Sequence, residues 1–324
     1  GTNGGHIMKI GAGGGSEPIQ VTTVAAQYQQ PAWSSTGERI AALRTPARVF
    51  QESESAIGAE TDIVWIPSSG GDANFVAPAQ GRSAPHFVEG HDRIYLHHPA
   101  NGLLSIRWDG TDEKSHVKVV GETRQGADAP NSSDLIKMAP NGGKALAELG
   151  NNIYVVTVPI LGGETPSISI ADVDNAEFPA RKITETGGQF PAWSADGNRV
   201  HFFMGNAHFV YNLEAAQAFE DSLRAIGTDE EPEQYTPLEH RVLIEAERDV
   251  PSGAVVLRGG RVITMNGREV IEDADIVIRN NRIEALGSRG SVTIPSGTEV
   301  IDVSGKTILP GFVDTHSHMR PPQG

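Results

Sequence analysis

The chain has 324 residues, enough for two ordinary domains, and its 21% charged and 38% hydrophobic residues exclude a disordered or membrane-embedded protein. Its formal net charge of −15 argues against a nucleic-acid partner, because phosphate recognition needs a basic face. The sequence has no cysteine, which excludes disulfides and thiolate metal sites, and no run of about 18 apolar residues that would predict a membrane span.

A repeated segment organises the first two thirds of the chain. Residues 31–40 and 191–200 share Pro-Ala-Trp-Ser followed by a glycine and an arginine, and weaker copies begin near Pro85 and Ala139. The copies lie roughly 50 to 55 residues apart, which is typical of propeller blades. In each copy we expect the aromatic residue after proline to begin an inner strand, and a hairpin to follow at Thr36-Gly37, Asn141-Gly142 or Asp196-Gly197.

The last copy, at residues 193–197, reads aromatic-Ser-x-Asp-Gly and resembles the TolB-type propeller repeat. That resemblance implies a partial propeller of about four blades, and residues 4–10 look like the tail of an earlier blade. We therefore expect the ring to begin upstream of Gly1. TolB-like propellers are commonly exported, so a periplasmic or secreted location is favoured over a cytoplasmic one. Core packing between blades is the favoured role for the four tryptophans, with a ligand pocket as the alternative.

A helix is predicted after the last blade, at residues 214–226, because Ala215, Phe219, Leu223 and Ile226 recur at helical spacing. Residues 228–233 are acidic and then interrupted by proline, which indicates a linker. The predicted organisation is therefore propeller blades at 1–212, helix and linker at 213–253, a small β-domain at 254–307, and a last strand at 308–324.

The β-domain is expected to begin with two strands, at 255–257 and 261–265, followed by a hairpin turn at Asn266-Gly267. Residues 274–278 should pair with 282–286, and another strand should follow at 300–303. An apolar strand from residue 307 to 313 then leads to His316 and His318. Because residues i and i+2 of a strand point to one side, the two imidazoles could meet one metal ion.

The run from 255 to 319 resembles the opening of the amidohydrolase superfamily, in particular its imidazolonepropionase-like and dihydroorotase-like branches. The matching patterns are Leu-Arg-Gly-Gly-Arg-Val-Ile at 257–263, Ala-Asp-Ile-Val-Ile within 274–283, Val-Ile-Asp at 300–302, and Leu-Pro-Gly-Phe-Val-Asp-Thr-His-Ser-His at 309–318.

This second resemblance implies a mainly β chain that ends in a small β-sandwich segment of a composite amidohydrolase domain and the first strand of a (β/α)8 barrel. It implies that His316 and His318 bind a divalent metal, most often zinc, as one or two ions in the complete enzyme. Asp314 would either support such a ligand or be an ordinary strand-end carboxylate. The reaction would be metal-assisted hydrolysis of an amide or cyclic amide C–N bond in a small molecule.

The pattern of the family is incomplete in this sequence, because the later metal-ligand histidines and the late catalytic aspartate are missing. No complete catalytic set is present, and we expect the chain as given to lack hydrolase activity. We also expect unpaired sheet edges in the 254–307 domain. The alternatives are a propeller that binds a protein or ligand without catalysis, and an accessory propeller of a prolyl-oligopeptidase-like peptidase. Residues 314–318 argue against the latter.

Overall fold

Short β-strands make up most of the structure, a computed structural model that describes residues 4–52, 60–226, 234–247 and 250–316. The chain divides into two compact units, Gly1–Leu243 and Ile244–Gly324. No helix in the described ranges is long and apolar enough to cross a membrane. The predicted linker at 228–233 lies outside the described residues.

The first unit begins with a short antiparallel hairpin and two propeller-like blades. Blade 1 (residues 26–78) and blade 2 (residues 83–120) are antiparallel sheets whose strands follow chain order. The elements are β1 (Met8–Lys9), β2 (Ile19–Gln20), β3 (Ala26–Trp33), β4 (Arg39–Pro46), α1 (Ala47–Glu52), β5 (Asp62–Pro67), β6 (Asn74–Pro78), β7 (Ser83–His86), β8 (Ile94–His98), β9 (Gly102–Ile106) and β10 (Lys114–Val120).

Blade 3 (residues 135–182) and blade 4 (residues 189–241) repeat this plan, except that one strand encoded within blade 3 belongs to the sheet of blade 2. The elements are β11 (Leu135–Met138), β12 (Lys144–Leu149), β13 (Asn152–Thr157), β14 (Ser167–Ser169), β15 (Ala180–Lys182), β16 (Gln189–Trp193), β17 (Arg199–Met204), β18 (Ala207–Asn212), α2 (Leu213–Ile226) and β19 (Leu238–Arg241). Strand β14 leaves blade 3 and pairs in parallel with β10, at the outer edge of blade 2.

Apolar layers between successive blades form the core. Ala41 and Leu43 of blade 1 pack with Ile94 of blade 2, whereas Ile40 and Ala42 on the opposite face pack with residues of the N-terminal segment. Further layers join blade 2 to blade 3 and blade 3 to blade 4. Central strands are therefore buried on both faces, which explains their continuous apolar runs in place of a polar–apolar alternation.

The structure confirms the predicted blades but differs in three details. The aromatic residue of the repeat ends its inner strand, as Trp33 does in β3, because the hairpin turn follows at once. The fourth strand of blade 4 is β19, so the last sheet extends beyond the predicted boundary at residue 212. The predicted helix is present as α2, and the Asn212 side chain accepts a hydrogen bond from the Ala215 amide (3.0 Å) near its start. The third difference is the buried face of this helix. Its buried residues are Leu213 and Ala216, whereas Ala215, one of the apolar residues that predicted the helix, is exposed.

The second unit is one sheet, in the order β22-β21-β20-β23, with the short β24 also paired to β20. Its strands are β20 (Ala254–Ile263), β21 (Val270–Arg279), β22 (Arg282–Ser288), β23 (Glu299–Asp302) and β24 (Thr307–Ile308). The two strands predicted at 255–265 are a single strand, because Gly259 and Gly260 form an irregularity that the chain passes without ending its pairing. The hairpin predicted at Asn266-Gly267 is present, with the Glu269 amide bonded to the Asn266 carbonyl.

Both outer strands of this sheet have a partner on one side only among the described residues. Strand β22 pairs with β21, and β23 pairs with β20. Exposed apolar side chains accompany these edges, notably Ile283, Val300 and Ile301. This agrees with the expectation of unpaired sheet edges in the β-domain.

Candidate functional site

The segment that carries the histidine pair leaves the sheet before the motif begins. Strand β24 pairs in parallel with β20 at Thr307 and Ile308, and no strand follows in the described residues that continue to 316. The apolar strand expected through Val313 is therefore absent beyond Ile308. A barrel strand depends on strand pairing with its neighbours, and residues 309–316 are not part of a strand in the described structure.

Asp314 and His316 lie together in an exposed turn. The Asp314 carboxylate (Oδ1) accepts a hydrogen bond from the His316 backbone amide at 2.9 Å. His318 lies outside the described residues, so its predicted convergence with His316 stays a prediction. Over the described ranges, no group of three His, Cys, Asp or Glu residues could hold a metal ion.

The donor chemistry at residues 314–318 suits zinc, but the number of donors does not complete a catalytic site. Imidazole nitrogen and carboxylate oxygen are normal zinc ligands, and catalytic zinc sites use three protein ligands. One oxygen of Asp314 already accepts the hydrogen bond from the His316 backbone amide. The arrangement can thus contribute part of a metal site and orient the backbone near it.

Other residues of the amidohydrolase-like pattern have structural roles in the second unit. Gly259 has a φ of +82°, and a Cβ there would lie 2.6 Å from the Ser304 hydroxyl oxygen. Asp275 is fully buried and lies 3.4 Å from the Arg258 guanidinium, which is an ion pair with poor hydrogen-bond geometry. Its second oxygen accepts a hydrogen bond from the Gly290 amide at 3.0 Å.

A second candidate site is a cavity of about 440 Å³ in the first unit, called here the inner-strand cavity. Equivalent positions at the ends of the four inner strands line it. They are Ala32 and Trp33 of β3, His86 of β7 and the following Phe87, Lys137 and Met138 of β11, and Ala192 and Trp193 of β16. The residues Ser35, Glu89, Pro140 and Ala195, just beyond these strand ends, also line it. This volume falls in the usual range for small-molecule sites.

Three of the four inner strands carry the same backbone distortion beside this cavity. Gln30, Ala84 and Phe190 each precede a proline and have φ values of +52°, +52° and +56°. The strand register shifts at each of these points. A non-glycine residue in such a backbone conformation costs about 1–3 kcal/mol of conformational free energy. Residues of this kind concentrate at functional sites.

His86 connects blade 2 to blade 3 at the cavity wall. Its Nδ1 donates to the Ala84 carbonyl (2.8 Å), and its Nε2 accepts a hydrogen bond from the Met138 amide (2.8 Å). This pattern requires the neutral ring with the proton on Nδ1. Burial lowers the pKa of His86 to about 4, against the opposing effect of the Ala84 hydrogen bond. His86 is therefore a structural bridge.

The tryptophans divide between the two roles considered for them. Trp65 and Trp108 pack edge to face across blades 1 and 2, with ring centroids 6.3 Å apart, and the Arg39 guanidinium lies over both rings. Trp33 is 52% exposed and, with Trp193, lines the inner-strand cavity. Packing between blades is thus confirmed for Trp65 and Trp108. Trp193 packs against the core layer between blades 3 and 4 and also lines the cavity, whereas Trp33 lines the cavity. The shared position of Trp33 and Trp193 in the repeat was the sequence signal that could have identified the inner-strand cavity.

We expect the first unit to lose stability as the pH falls from about 6.5 towards 4. Burial lowers the pKa of His86, His97 and His116 to about 4. An unfolded histidine titrates near 6.5, so the unfolded chain binds more protons in this window, and low pH favours it. The slope for a fully buried histidine is about 1.4 kcal/mol per pH unit. Urea midpoints between pH 7 and 5 measure the effect before most carboxylates titrate.

The matched variant for this titration is His97→Leu. His97 is 2% exposed, and its two ring nitrogens have no hydrogen-bond partner among the described residues. Leucine should keep or raise stability at pH 7, because it removes a buried polar group without a partner, and it should flatten the pH dependence. An unchanged slope in this variant would show that His97 is not one of the titrating groups.

Comparisons with known proteins give short matches to dihydroorotases and adenine deaminases, and no family model matches. The chain is 41% identical over 68 residues to a dihydroorotase of Geobacter metallireducens, which is 21% of this chain and 15% of that protein. It is 30% identical over 78 residues to an adenine deaminase of Paracoccus denitrificans, which is 24% of this chain and 13% of that protein. The chain thus spans only about 13–15% of the length of these relatives.

Among solved structures, TolB of Acinetobacter baumannii has a TM-score of 0.40 and 14% identity, over 82% of this chain and 55% of that one. An oligogalacturonate lyase in complex with manganese has a TM-score of 0.41 and 13% identity, over 65% and 58%. Both TM-scores are below 0.5, and the four blades are defined by their own strand order and hydrogen bonding.

Proposed function

We propose that the second unit is the opening segment of a metal-dependent hydrolase that acts on C–N bonds. The observation that carries this proposal is the similarity to a dihydroorotase and an adenine deaminase over 68 and 78 residues. Those matched lengths suit the second unit, where four amidohydrolase-like patterns occur in family order. The substrate would be a small amide or cyclic amide.

In this proposal, His316 and His318 hold a divalent metal ion, zinc by preference. When bound, such an ion lowers the pKa of a coordinated water and polarises the scissile carbonyl. Asp314 acts as a positioning residue, because its carboxylate fixes the backbone at His316. The remaining ligands and the proton-transferring carboxylate would come from elsewhere in the complete enzyme, and the propeller would control access or bind a partner.

The source gene, expressed with its complete reading frame, tests this function. We expect further strand-end histidines and a late aspartate downstream, about one or two bound zinc ions, and hydrolysis of a cyclic amide such as dihydroorotate. His316→Ala and His318→Ala should abolish metal retention, whereas Asp314→Asn should weaken metal affinity by about 10- to 100-fold. His240→Ala, a change at an exposed histidine of blade 4, is the control.

The isolated 1–324 chain should show no hydrolysis in the same assay, because two histidines are fewer than the three ligands of a catalytic zinc site. Robust turnover by this chain would contradict that expectation. A stop codon directly after Gly324 in the source gene would overturn the enzyme proposal.

A second candidate function is a ligand-binding propeller, and the inner-strand cavity favours it. All four blades contribute equivalent positions to one cavity, and the backbone beside it is distorted in three of them. This function needs no residue of the second unit, so the two candidates are independent.

A further inference from the structure

Lys137 is the one cationic side chain that lines the inner-strand cavity, as far as the structure describes it. It sits on β11 between Ile136 and Met138, which are both buried in the core between blades 2 and 3. In the described structure, its ammonium has no hydrogen bond and no ion pair within 4 Å. Its side chain is partly buried, and that burial lowers the pKa of Lys137, with Glu148 opposing the shift.

Aromatic residues from three blades line the same cavity as Lys137. Trp33, Phe87 and Trp193 belong to blades 1, 2 and 4, and all line the cavity. The Trp193 indole (Nε1) donates to the Lys137 carbonyl at 3.1 Å, which fixes its ring beside the lysine. Phe87 stacks on Trp108 with centroids 5.4 Å apart, so it is held from behind. Aromatic walls with a small number of polar groups are typical of sites for small organic ligands.

We propose that the inner-strand cavity binds a small organic monocarboxylate with a flat apolar body, anchored by the Lys137 ammonium. A partly dehydrated ammonium that has no hydrogen bond in the described structure can form a strong charge-assisted hydrogen bond with a carboxylate. The aromatic walls bury the apolar part of the ligand. Phosphate carries more negative charge than a monocarboxylate and is disfavoured, because the cavity offers one cation, Glu89 also lines it, and the protein has a net charge of −15.

The inner-strand cavity is a site separate from the proposed hydrolase centre, and its lining comes from the first unit alone. Loss of His316 and His318 should leave carboxylate binding unchanged. Failure of the hydrolase proposal and failure of this one can thus be told apart.

Calorimetric titration of the whole chain with phenylacetate and benzoate tests the proposal, with phenylacetamide and benzamide as neutral matches. We expect the carboxylates to bind about tenfold more tightly than the amides, which corresponds to one charge-assisted hydrogen bond. Lys137→Met should remove that difference, and Lys137→Arg should keep most of it. Lys144→Met, at an exposed lysine on neighbouring β12, should bind like the parent chain.

Thermal unfolding of each variant shows whether the blades remain intact. Trp193→Leu is a second test of the site, because it removes one aromatic side chain from the cavity wall. The proposal is overturned if the amides bind as tightly as the acids, or if folded Lys137→Met keeps the preference for the carboxylates. It is also overturned if inorganic phosphate binds more tightly than phenylacetate. Equal losses in Lys137→Met and Lys144→Met would show a general charge effect and would overturn it as well.

Discussion

Replacement of Gly102 by alanine should destabilise the first unit by about 3 kcal/mol or more, whereas the same change at Gly90 should cost about 1 kcal/mol. Both glycines have a φ of +74°, so both substitutions place alanine in the left-handed region. At Gly102 the new Cβ would also meet the Val117 carbonyl oxygen and lie 2.9 Å from the Lys118 Cα. At Gly90 nothing lies within 4 Å.

The difference between the two variants therefore isolates the close approach of β9 to β10 from the conformational effect of a positive φ. Urea unfolding followed by tryptophan fluorescence suits this measurement, because all four tryptophans lie in the first unit. The expected result is a lower midpoint for Gly102→Ala with an unchanged m value. Equal midpoints for the two variants would contradict the described packing of β10 on Gly102.

Arg258→Met should destabilise the second unit by about 3 kcal/mol, because it leaves the Asp275 carboxylate buried without its cation. Asp275 is 0% exposed, and Arg258 lies beside it in the paired strand at 3.4 Å. In a unit of this size, such a loss is a large part of the total stability. The second unit contains no tryptophan. Hydrogen exchange of β20 to β22, read by mass spectrometry, is therefore the suitable measurement.

The double variant Arg258→Met/Asp275→Leu is the control for this ion pair. If the cost arises from an uncompensated charge, the double variant should be more stable than Arg258→Met alone. If the two changes simply add, the pair is not coupled and the prediction is wrong. The stability of Asp275→Asn should lie between those of the parent chain and Arg258→Met, because the amide oxygen can still accept the Gly290 hydrogen bond.

Local signals in the sequence were sufficient to predict the blades and several turns. The glycines at Thr36-Gly37 and Asp196-Gly197 supply the positive φ that a tight turn requires, so these turns follow from single residues. The helix α2 was also predicted, from the spacing of four apolar residues, although two of them, Ala215 and Ile226, are exposed in the structure. The continuous β20 was missed because two consecutive glycines resemble a break, whereas pairing on both sides holds the strand together.

The candidate sites depend on contacts that local sequence does not encode. Lys137 and His86 are 51 positions apart in chain numbering, and they share a cavity only because blades 2 and 3 stand side by side. The positive φ of Ala84 has no signal in the residue type itself. The histidine pair differs from the cavity, because its signal lies in the local sequence. The family pattern predicted that His316 and His318 bind a metal ion, but a catalytic metal site needs additional ligands.

Strand β14 has a consequence for the order in which the chain folds. It completes the outer edge of blade 2, yet it is encoded after the first three strands of blade 3. During synthesis, blade 2 must therefore wait for residues 167–169 before its last hydrogen bonds can form. The loop that closes this contact makes its formation slow compared with that of the hairpins. Blades 2 and 3 should accordingly open and close as a single cooperative block, whereas the strands of blade 1 are all encoded before residue 79 and can pair earlier.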